Sequence, residues 1–151
     1  MRRYRWAVAM LVIAAATVAI GVSVASASSG NSALRFHLQG GSSTFVNVTG
    51  KKSPAIGDEI ILHQPVWQDG SRVGTGIVTI TLTGGATDQL HATLALRGGQ
   101  IDVGGVQLSD ANRFTLPIDG GSGAYAGASG QVRVHLLQGK GNPTDVTVEL
   151  Q

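Results

Sequence analysis

The sequence predicts an all-β protein in which eight or nine short antiparallel strands close into a barrel. Apolar and polar residues alternate with a period of two rather than 3.6, which is the pattern of half-buried strands. Glycine-rich turns separate the alternating segments at intervals of about 8 to 14 residues. The chain also has only 4 prolines and few charges to protect exposed strand edges, so a closed barrel is favoured over an open sandwich.

The first segment has the three parts of a secretory signal peptide. Three arginines within residues 1–5 precede an uncharged apolar run from Trp6 to about Val22, and Ala25-Ser26-Ala27 supplies an A-x-A cleavage site. We expect residues 1–27 to be removed after Ala27, residues 28–32 to be a disordered start, and residues 33–151 to form one barrel domain outside the cell. The alternative is that the apolar run is retained as a membrane anchor, because it approaches the length that spans a bilayer.

Charge and composition exclude several classes of function. The full chain carries a net charge of +2, but three of its 11 basic residues lie in the signal, so cleavage leaves 8 basic and 9 acidic residues and a net charge of −1. A near-neutral domain gives no support to nucleic-acid binding or to polybasic attachment at a membrane surface. The chain has no cysteine, which excludes disulfides and thiolate chemistry.

The strands follow from the alternation, taken in chain order. In residues 89–97, for example, Leu90, Ala92 and Leu94 share one face while His91 and Thr93 share the other. The predicted strands are Leu34 to Gln39, Thr44 to Val48, Asp58 to Trp67, Arg72 to Leu82, Gln89 to Arg97, Gln100 to Leu108, Arg113 to Ile118, Gln131 to Gln138 and Asp145 to Leu150. The predicted turns are Gly40-Gly41, Lys51 to Gly57, Asp69-Gly70, Gly84-Gly85, Gly98-Gly99 and Gly120 to Gly123.

The common catalytic and cofactor motifs are missing from the sequence. The histidines are 26, 28 and 44 residues apart and form no H-x-H or H-x-x-x-H pair, so we expect no metal site. The glycines at 120–123 precede a strand rather than a helix, which argues against a phosphate-binding loop. No serine lies in a G-x-S-x-G turn. The sequence therefore predicts no cofactor and does not favour a hydrolase.

Two segments resemble the barrel family that contains plant allene oxide cyclases, dirigent proteins and their secreted bacterial relatives. In Phe45 to Thr75, S-P-x-x-G-D opens a strand and V-G-T follows a D-G turn. In Ile118 to Leu137, GGSGAYAGASG is similar to the glycine-aromatic signature of the family. We interpret this signature as architectural. Gly120, Gly121 and Gly123 would permit positive φ, Tyr125 would plug one end of the barrel, and Gly127 and Gly130 would allow close backbone approach.

The resemblance implies an eight-stranded antiparallel up-and-down barrel of the calycin type, commonly a homotrimer with an apolar cavity. Cyclases of the family close an unstable fatty-acid epoxide into a ring, and dirigent proteins hold phenoxy-type radicals while they couple. Both work by orienting a reactive apolar molecule and excluding water, which requires few chemical groups. We therefore expect a barrel that binds an apolar or aromatic small molecule and steers its cyclisation or stereoselective coupling. Any enzymatic activity would be of the isomerase (cyclase) or dirigent type.

The chain departs from the family at its known acidic positions, so the polar side chains of the site have to be sought elsewhere. Leu38 stands in the place of a dirigent acid, and Ile80 lies near the place of a cyclase cysteine. Our candidates for ligand contacts are two histidines and a tryptophan, with two arginines as partners for an anion: His37, His63, Trp67, Arg97 and Arg113. For Trp67 and the histidines, packing or surface placement is the alternative interpretation.

Two further classes of function stay open at this point. A lumen filled by Phe36, Phe45 and Phe114 would indicate a non-catalytic secreted structural or interaction protein. A cavity of a few hundred Å³ with a carboxylate hydrogen-bonded to a histidine would indicate an ordinary isomerase.

Overall fold

A computed structural model describes residues 33–151, and the predicted signal peptide and disordered start lie outside these described residues. Within them the chain forms nine strands, and no helix is long and apolar enough to span a bilayer. The strands are β1 (Ala33–Leu38), β2 (Ser42–Val46), β3 (Glu59–Gln68), β4 (Ser71–Gly84), β5 (Thr87–Leu96), β6 (Gly99–Leu108), β7 (Arg113–Gly123), β8 (Gly130–Leu136) and β9 (Thr144–Leu150).

The nine strands form an eight-stranded antiparallel barrel, as the sequence predicts. Their order is β1-β9-β8-β7-β6-β5-β4-β3-β2, and a second pairing of β1 with β3 closes the sheet. Strand β1 pairs with Val66 and Trp67 of β3, whereas β2 pairs with residues 59–63 of the same strand. Because β1 and β2 lie end to end along β3, they occupy one position in the barrel between them.

Two glycines produce the interruption between β1 and β2. Gly40 and Gly41 have φ of +76° and +94°, a region that favours glycine. The Gly40 N–H donates to the carbonyl oxygen of Gly141 at 2.9 Å, which ties the break to the loop before β9. At Gly41 a Cβ would overlap the carbonyl oxygen of His63. This position therefore requires glycine both for its conformation and for its close contact with β3.

The two ends of the barrel differ in burial. We call the end beside residues 124–129, the loop joining β7 to β8, the closed end; there Tyr125 and Ala128 pack against the hydrophobic core. The opposite end, which we call the open end, is formed by the start of β3, β5 and β7 and the end of β4, β6 and β8. The buried core occupies the closed half and the middle of the barrel, and comprises Phe36, Leu38, Val66, Leu90, Ala92, Leu94, Ile101, Val103, Leu116, Ile118, Val132, Val146 and Val148.

The glycine-aromatic signature builds the closed end, although its turn begins later than predicted. Strand β7 continues to Gly123, so the predicted turn at residues 120–123 is wrong and the chain reverses over residues 124–129. The strand extends this far because residues 120–123 pair with β6, and the pairing provides hydrogen-bond partners for their backbone N–H and C=O groups. Positive φ occurs only in part of the signature, at Gly123, Gly127 and Gly130. Gly121 is needed for close contact with the Tyr125 carbonyl, and Gly120 has neither requirement.

The S-P-x-x-G-D motif fastens a loop at the open end. Asp58 is completely buried, and its carboxylate accepts hydrogen bonds from the backbone N–H groups of Thr49 at 2.9 Å and Ala55 at 2.8 Å. The hydrogen bond from Thr49 is the largest influence and lowers the pKa of Asp58, while burial opposes the shift. Asp58 also accepts from the Leu82 N–H through its own carbonyl, so the loop is joined to β4.

Candidate functional site

The inward side chains near the open end are mostly apolar and only half-buried. Alternation along β3 directs Gln64 and Val66 inward, where they are buried, while Ile60 and Leu62 on the same face are only half-buried. The same gradient occurs along β8, where Val132 is buried and the other inward residues are half-buried. Together these half-buried side chains form an apolar cup: Ile60, Leu62, Val78, Ile80, Phe114, Val134 and Leu136.

The three phenylalanines do not fill this cup. Phe36 is 5% exposed and belongs to the core, and Phe114 packs against that core from the cup side. Phe45 lies directly opposite Ile60 at the rim and is 45% exposed. Phe36 therefore belongs to the buried core, whereas Phe114 and Phe45 lie at the edge of the cup. The other apolar side chains of the cup stay half-buried at the open end.

Asp88 and Gln107 bring polar groups to the inner face near the open end. The register places Asp88 of β5 directly between Leu82 of β4 and Gln107 of β6, and residues directly opposite each other share one face of a sheet. Leu82 and Gln107 are 6% and 7% exposed, so this face is the inner one. Asp88 thus places a carboxylate on the lumen side. It lies on a different strand from the acidic positions of the family that the sequence resembles.

Asp88 lies outside the predicted strand, which begins at Gln89, two residues after the observed start of β5. Strand β5 begins at Thr87, and the alternation that places Leu90 and Ala92 inward extends back to Asp88. Alternation could have identified it, because Asp88 lies two residues before Leu90 and therefore shares its face if the strand starts earlier.

The buried amides of the lumen differ in their hydrogen bonds. Gln64 donates through Nε2 to the carbonyl oxygen of Asn142 at 3.3 Å, and the Thr144 hydroxyl donates to the same oxygen at 3.2 Å. By contrast, Oε1 of Gln107 is buried without a hydrogen-bond partner, the only such side-chain atom found within residues 33–151. An unsatisfied buried acceptor is rare in proteins and destabilises the unliganded state.

The structure places the sequence-predicted site residues outside the lumen. His63 and Arg113 lie on the outer face of the sheet, opposite Ile77 and His135, respectively. Arg97 is exposed at the turn between β5 and β6, at the closed end of the barrel. Only His37 and Trp67 come together, as direct partners in the pairing of β1 with β3. A role for these five residues in ligand binding stays a prediction.

His37 and Trp67 border a groove on the outer surface. The groove has a volume of about 380 Å³ and is lined by His37, Gln39, Trp67, Asp69 and Gly70. His37 Nδ1 lies 2.8 Å from Asp145 Oδ1, with the two side chains 39% and 54% exposed. The groove has the volume expected of an isomerase site, but Asp145, the carboxylate that contacts His37, is not among its lining residues. Water also reaches the groove freely, so the groove cannot confine a reactive molecule.

Metal chemistry has no evident site in the described part of the chain. Between residues 33 and 151, no three side chains of the metal-binding types His, Asp and Glu converge on one point. The four histidines lie on four different strands, β1, β3, β5 and β8.

Comparisons with known proteins identify the fold. No family model matches the sequence, and no curated protein matches it. Among solved structures, a pyocyanin demethylase is 20% identical with a TM-score of 0.69, over 80% of this chain and 100% of that one. A pterocarpan synthase dirigent protein is 16% identical with a TM-score of 0.63, over 81% and 94%. An exo-specific intermolecular Diels-Alderase is 19% identical with a TM-score of 0.62, over 80% and 98%.

These similarities cover nearly the whole described chain. At such low identities they establish the fold and not the reaction. The resemblance indicated by the two sequence motifs is thus confirmed at the level of architecture: this chain has the barrel fold that dirigent proteins share with a Diels-Alderase and a pyocyanin demethylase.

Proposed function

We propose that the open half of the barrel binds an apolar or aromatic small molecule and steers its cyclisation or coupling. The observation that carries this proposal is the apolar cup, whose inward side chains are only half-buried although they belong to the lumen. Apolar surface that faces inward and remains accessible is typical of a small-molecule site. The dirigent and Diels-Alderase names of two structural neighbours support a reaction that forms a ring or joins two molecules.

The chemistry that such a cup provides is orientation. A bound molecule would lie against rigid strands that are closed at one end by Tyr125 and Ala128, so its reacting atoms would face a limited set of directions. Removal of water from the reacting centre would also suppress competing hydrolysis. Neither effect requires a nucleophile or a metal, which agrees with the lack of such motifs in the sequence.

Two adjacent substitutions on β4 test whether the ligand lies inside the barrel. Val78 faces the cup, whereas Ile77 is 39% exposed on the outer face. A Trp at position 78 would fill the cup, and a Trp at position 77 would add the same side chain to solvent. Fluorescence titration with 1-naphthol should show at least a tenfold weaker affinity for Val78→Trp and unchanged affinity for Ile77→Trp.

Equal effects of the two tryptophans, or no binding by the unmodified protein, would contradict the proposal. Circular dichroism of both variants checks that each retains the strand content of the parent. Native mass spectrometry of protein purified from its own host complements the titration, because a copurifying apolar molecule would identify the natural ligand.

We further propose that the protein is exported, with cleavage after Ala27. The basic, apolar and A-x-A segments of the sequence support this proposal. Amino-terminal sequencing of protein recovered from culture medium should begin at Ser28. An intact amino terminus in the membrane fraction would instead indicate a retained anchor.

A homotrimer is the proposed assembly. Its support is the family resemblance, together with Val106 and Leu108, which are 59% and 56% exposed on the outer face of β6. Exposed apolar residues that lie close together often mark contacts between subunits. Light scattering at micromolar concentration should give three times the mass of the monomer, and a monomer would contradict the assembly.

A further inference from the structure

Gln107 extends the proposed function, on which the following proposal rests. Its side chain faces the lumen and is 7% exposed, and its Oε1 has no hydrogen-bond partner among the described residues. Its direct cross-strand partner on the inner face is Asp88. A buried acceptor without a donor is unfavourable, so the unliganded barrel holds an unmet requirement for a donor at this point.

We infer that the molecule bound in the lumen carries a hydroxyl or N–H group, and that Gln107 Oε1 accepts a hydrogen bond from it with Asp88 beside them. The oxygen is covered in the unliganded barrel, so the terminal amide has to turn toward the cup to meet the ligand. The missing hydrogen bond lowers the cost of that turn, because no existing partner is lost.

The charges near Gln107 restrict the class of ligand. Asp88 lies directly opposite Gln107, where the Cβ atoms of such pairs are about 5 Å apart. Both groups present acceptor oxygens. The five arginines of the described strands and turns are outward or at strand ends: Arg35, Arg72, Arg97, Arg113 and Arg133. The three lysines, Lys51, Lys52 and Lys140, are exposed in the loops before β3 and between β8 and β9 and do not belong to the inner face of a strand. This part of the lumen therefore favours a phenol, an alcohol or an amine and disfavours a carboxylate.

A pair of nearly isosteric probes measures the preference directly. 1-Naphthol carries the hydroxyl donor and 1-methylnaphthalene does not, while the aromatic surface is the same. Because a hydroxyl loses water on burial, naphthol should bind more weakly unless the lumen supplies an acceptor. We expect the unmodified protein to bind naphthol about three- to tenfold more tightly than methylnaphthalene.

Gln107→Met tests the residue itself, since methionine is similar in length and lacks the acceptor. Its affinity for naphthol should fall to that for methylnaphthalene, which should not change. The melting temperature of the unliganded variant should rise, because a buried unsatisfied oxygen has been removed. Gln89→Met is the matched control: Gln89 neighbours Asp88 but is exposed on the outer face, and its substitution should change neither quantity.

The outcomes distinguish this inference from the proposed function. If neither probe binds the unmodified protein, the proposed function fails. If both bind with equal affinity, the lumen binds apolar molecules but the inference about Gln107 is wrong. The inference is also overturned if Gln107→Met weakens both probes equally, which would assign Gln107 a packing role. The ratio of affinities in the unmodified protein needs no variant, so a failure of Gln107→Met to fold would leave the test intact.

Discussion

The closed and open halves of the barrel are made from the same strands but differ in how far their inward apolar side chains are buried. In the closed half and the middle of the barrel, inward side chains meet in a buried core, as Val66 and Val148 show with 0% exposure. In the open half, most inward apolar side chains of β3, β4, β7 and β8 are only half-buried, although Leu82 at the end of β4 is buried. The buried apolar surface thus lies mainly toward one end of a continuous sheet, and the proposed ligand site lies toward the other.

The largest expected effect is the loss of a core side chain in the closed half. Leu116→Ala, at 2% exposure, should lower the free energy of unfolding by about 2 to 5 kcal/mol through lost burial and a residual cavity. Leu62→Ala in the open half should cost about 1 kcal/mol or less, because its side chain already contacts water. Urea denaturation measures both, and equal losses would remove the distinction between the halves.

The next effect concerns the break between β1 and β2. Gly41→Ala should destabilise the protein by about 1 to 3 kcal/mol, since a methyl group would meet the His63 carbonyl at a positive φ. Gly85→Ala is the matched control, with φ of +67° and no atom within 4 Å of the added carbon. Thermal unfolding should therefore show a clearly smaller shift for Gly85→Ala. Shifts of the same size would mean that conformation alone, and not the contact with β3, requires glycine.

Asp58 provides a smaller, pH-dependent contribution at the open end. Its pKa is lowered in the folded state, chiefly by the Thr49 N–H, so folding is stabilised by the ionised carboxylate above the ordinary value of 3.8. This stabilisation should be lost as the pH falls below 3.8 toward the folded-state pKa. Asp58→Asn should consequently be less stable than the parent at pH 7, and the difference should shrink in acid. A difference that stays constant from pH 7 to pH 3 would contradict the role assigned to the charge.

The smallest effect is expected at the outer groove. His37→Ala removes an exposed contact with Asp145, and exposed polar pairs of this kind contribute about 0 to 1 kcal/mol. Binding of 1-naphthol should be unchanged, because the groove lies outside the lumen. Isothermal titration would refute this expectation if the affinity fell tenfold, and would then transfer the binding site to the groove of His37 and Trp67.

The sequence predicts the barrel well because its two signals are local. Alternation depends on the pleat of each strand, and glycine pairs at turns depend on backbone conformation, so both can be recognised without tertiary contacts. The exception is β7, whose glycines were read as a turn although pairing with β6 extends the strand to Gly123. The strand pairing that decides this boundary is not local.

The candidate site could be predicted only in part, because alternation defines two faces without saying which is inside. Strand β3 has apolar residues on both faces, with Ile61 and Trp67 outside and Leu62 and Val66 inside. Its histidine and tryptophan therefore could not be assigned to the lumen or the surface from the sequence. Asp88 and Gln107 were overlooked for a related reason, since only the register across β5 and β6 brings them together.

Intermolecular nuclear Overhauser effects between 1-naphthol and the protein's side chains would locate the ligand on the inner or the outer face of the sheet. We expect contacts with Val78, Ile80 and Val134, which line the cup, and none with Ile77 on the outer face. Contacts with Ile77, Val106 or the ring of Trp67, in place of the cup residues, would show that the ligand binds outside the barrel and would refute binding in the lumen.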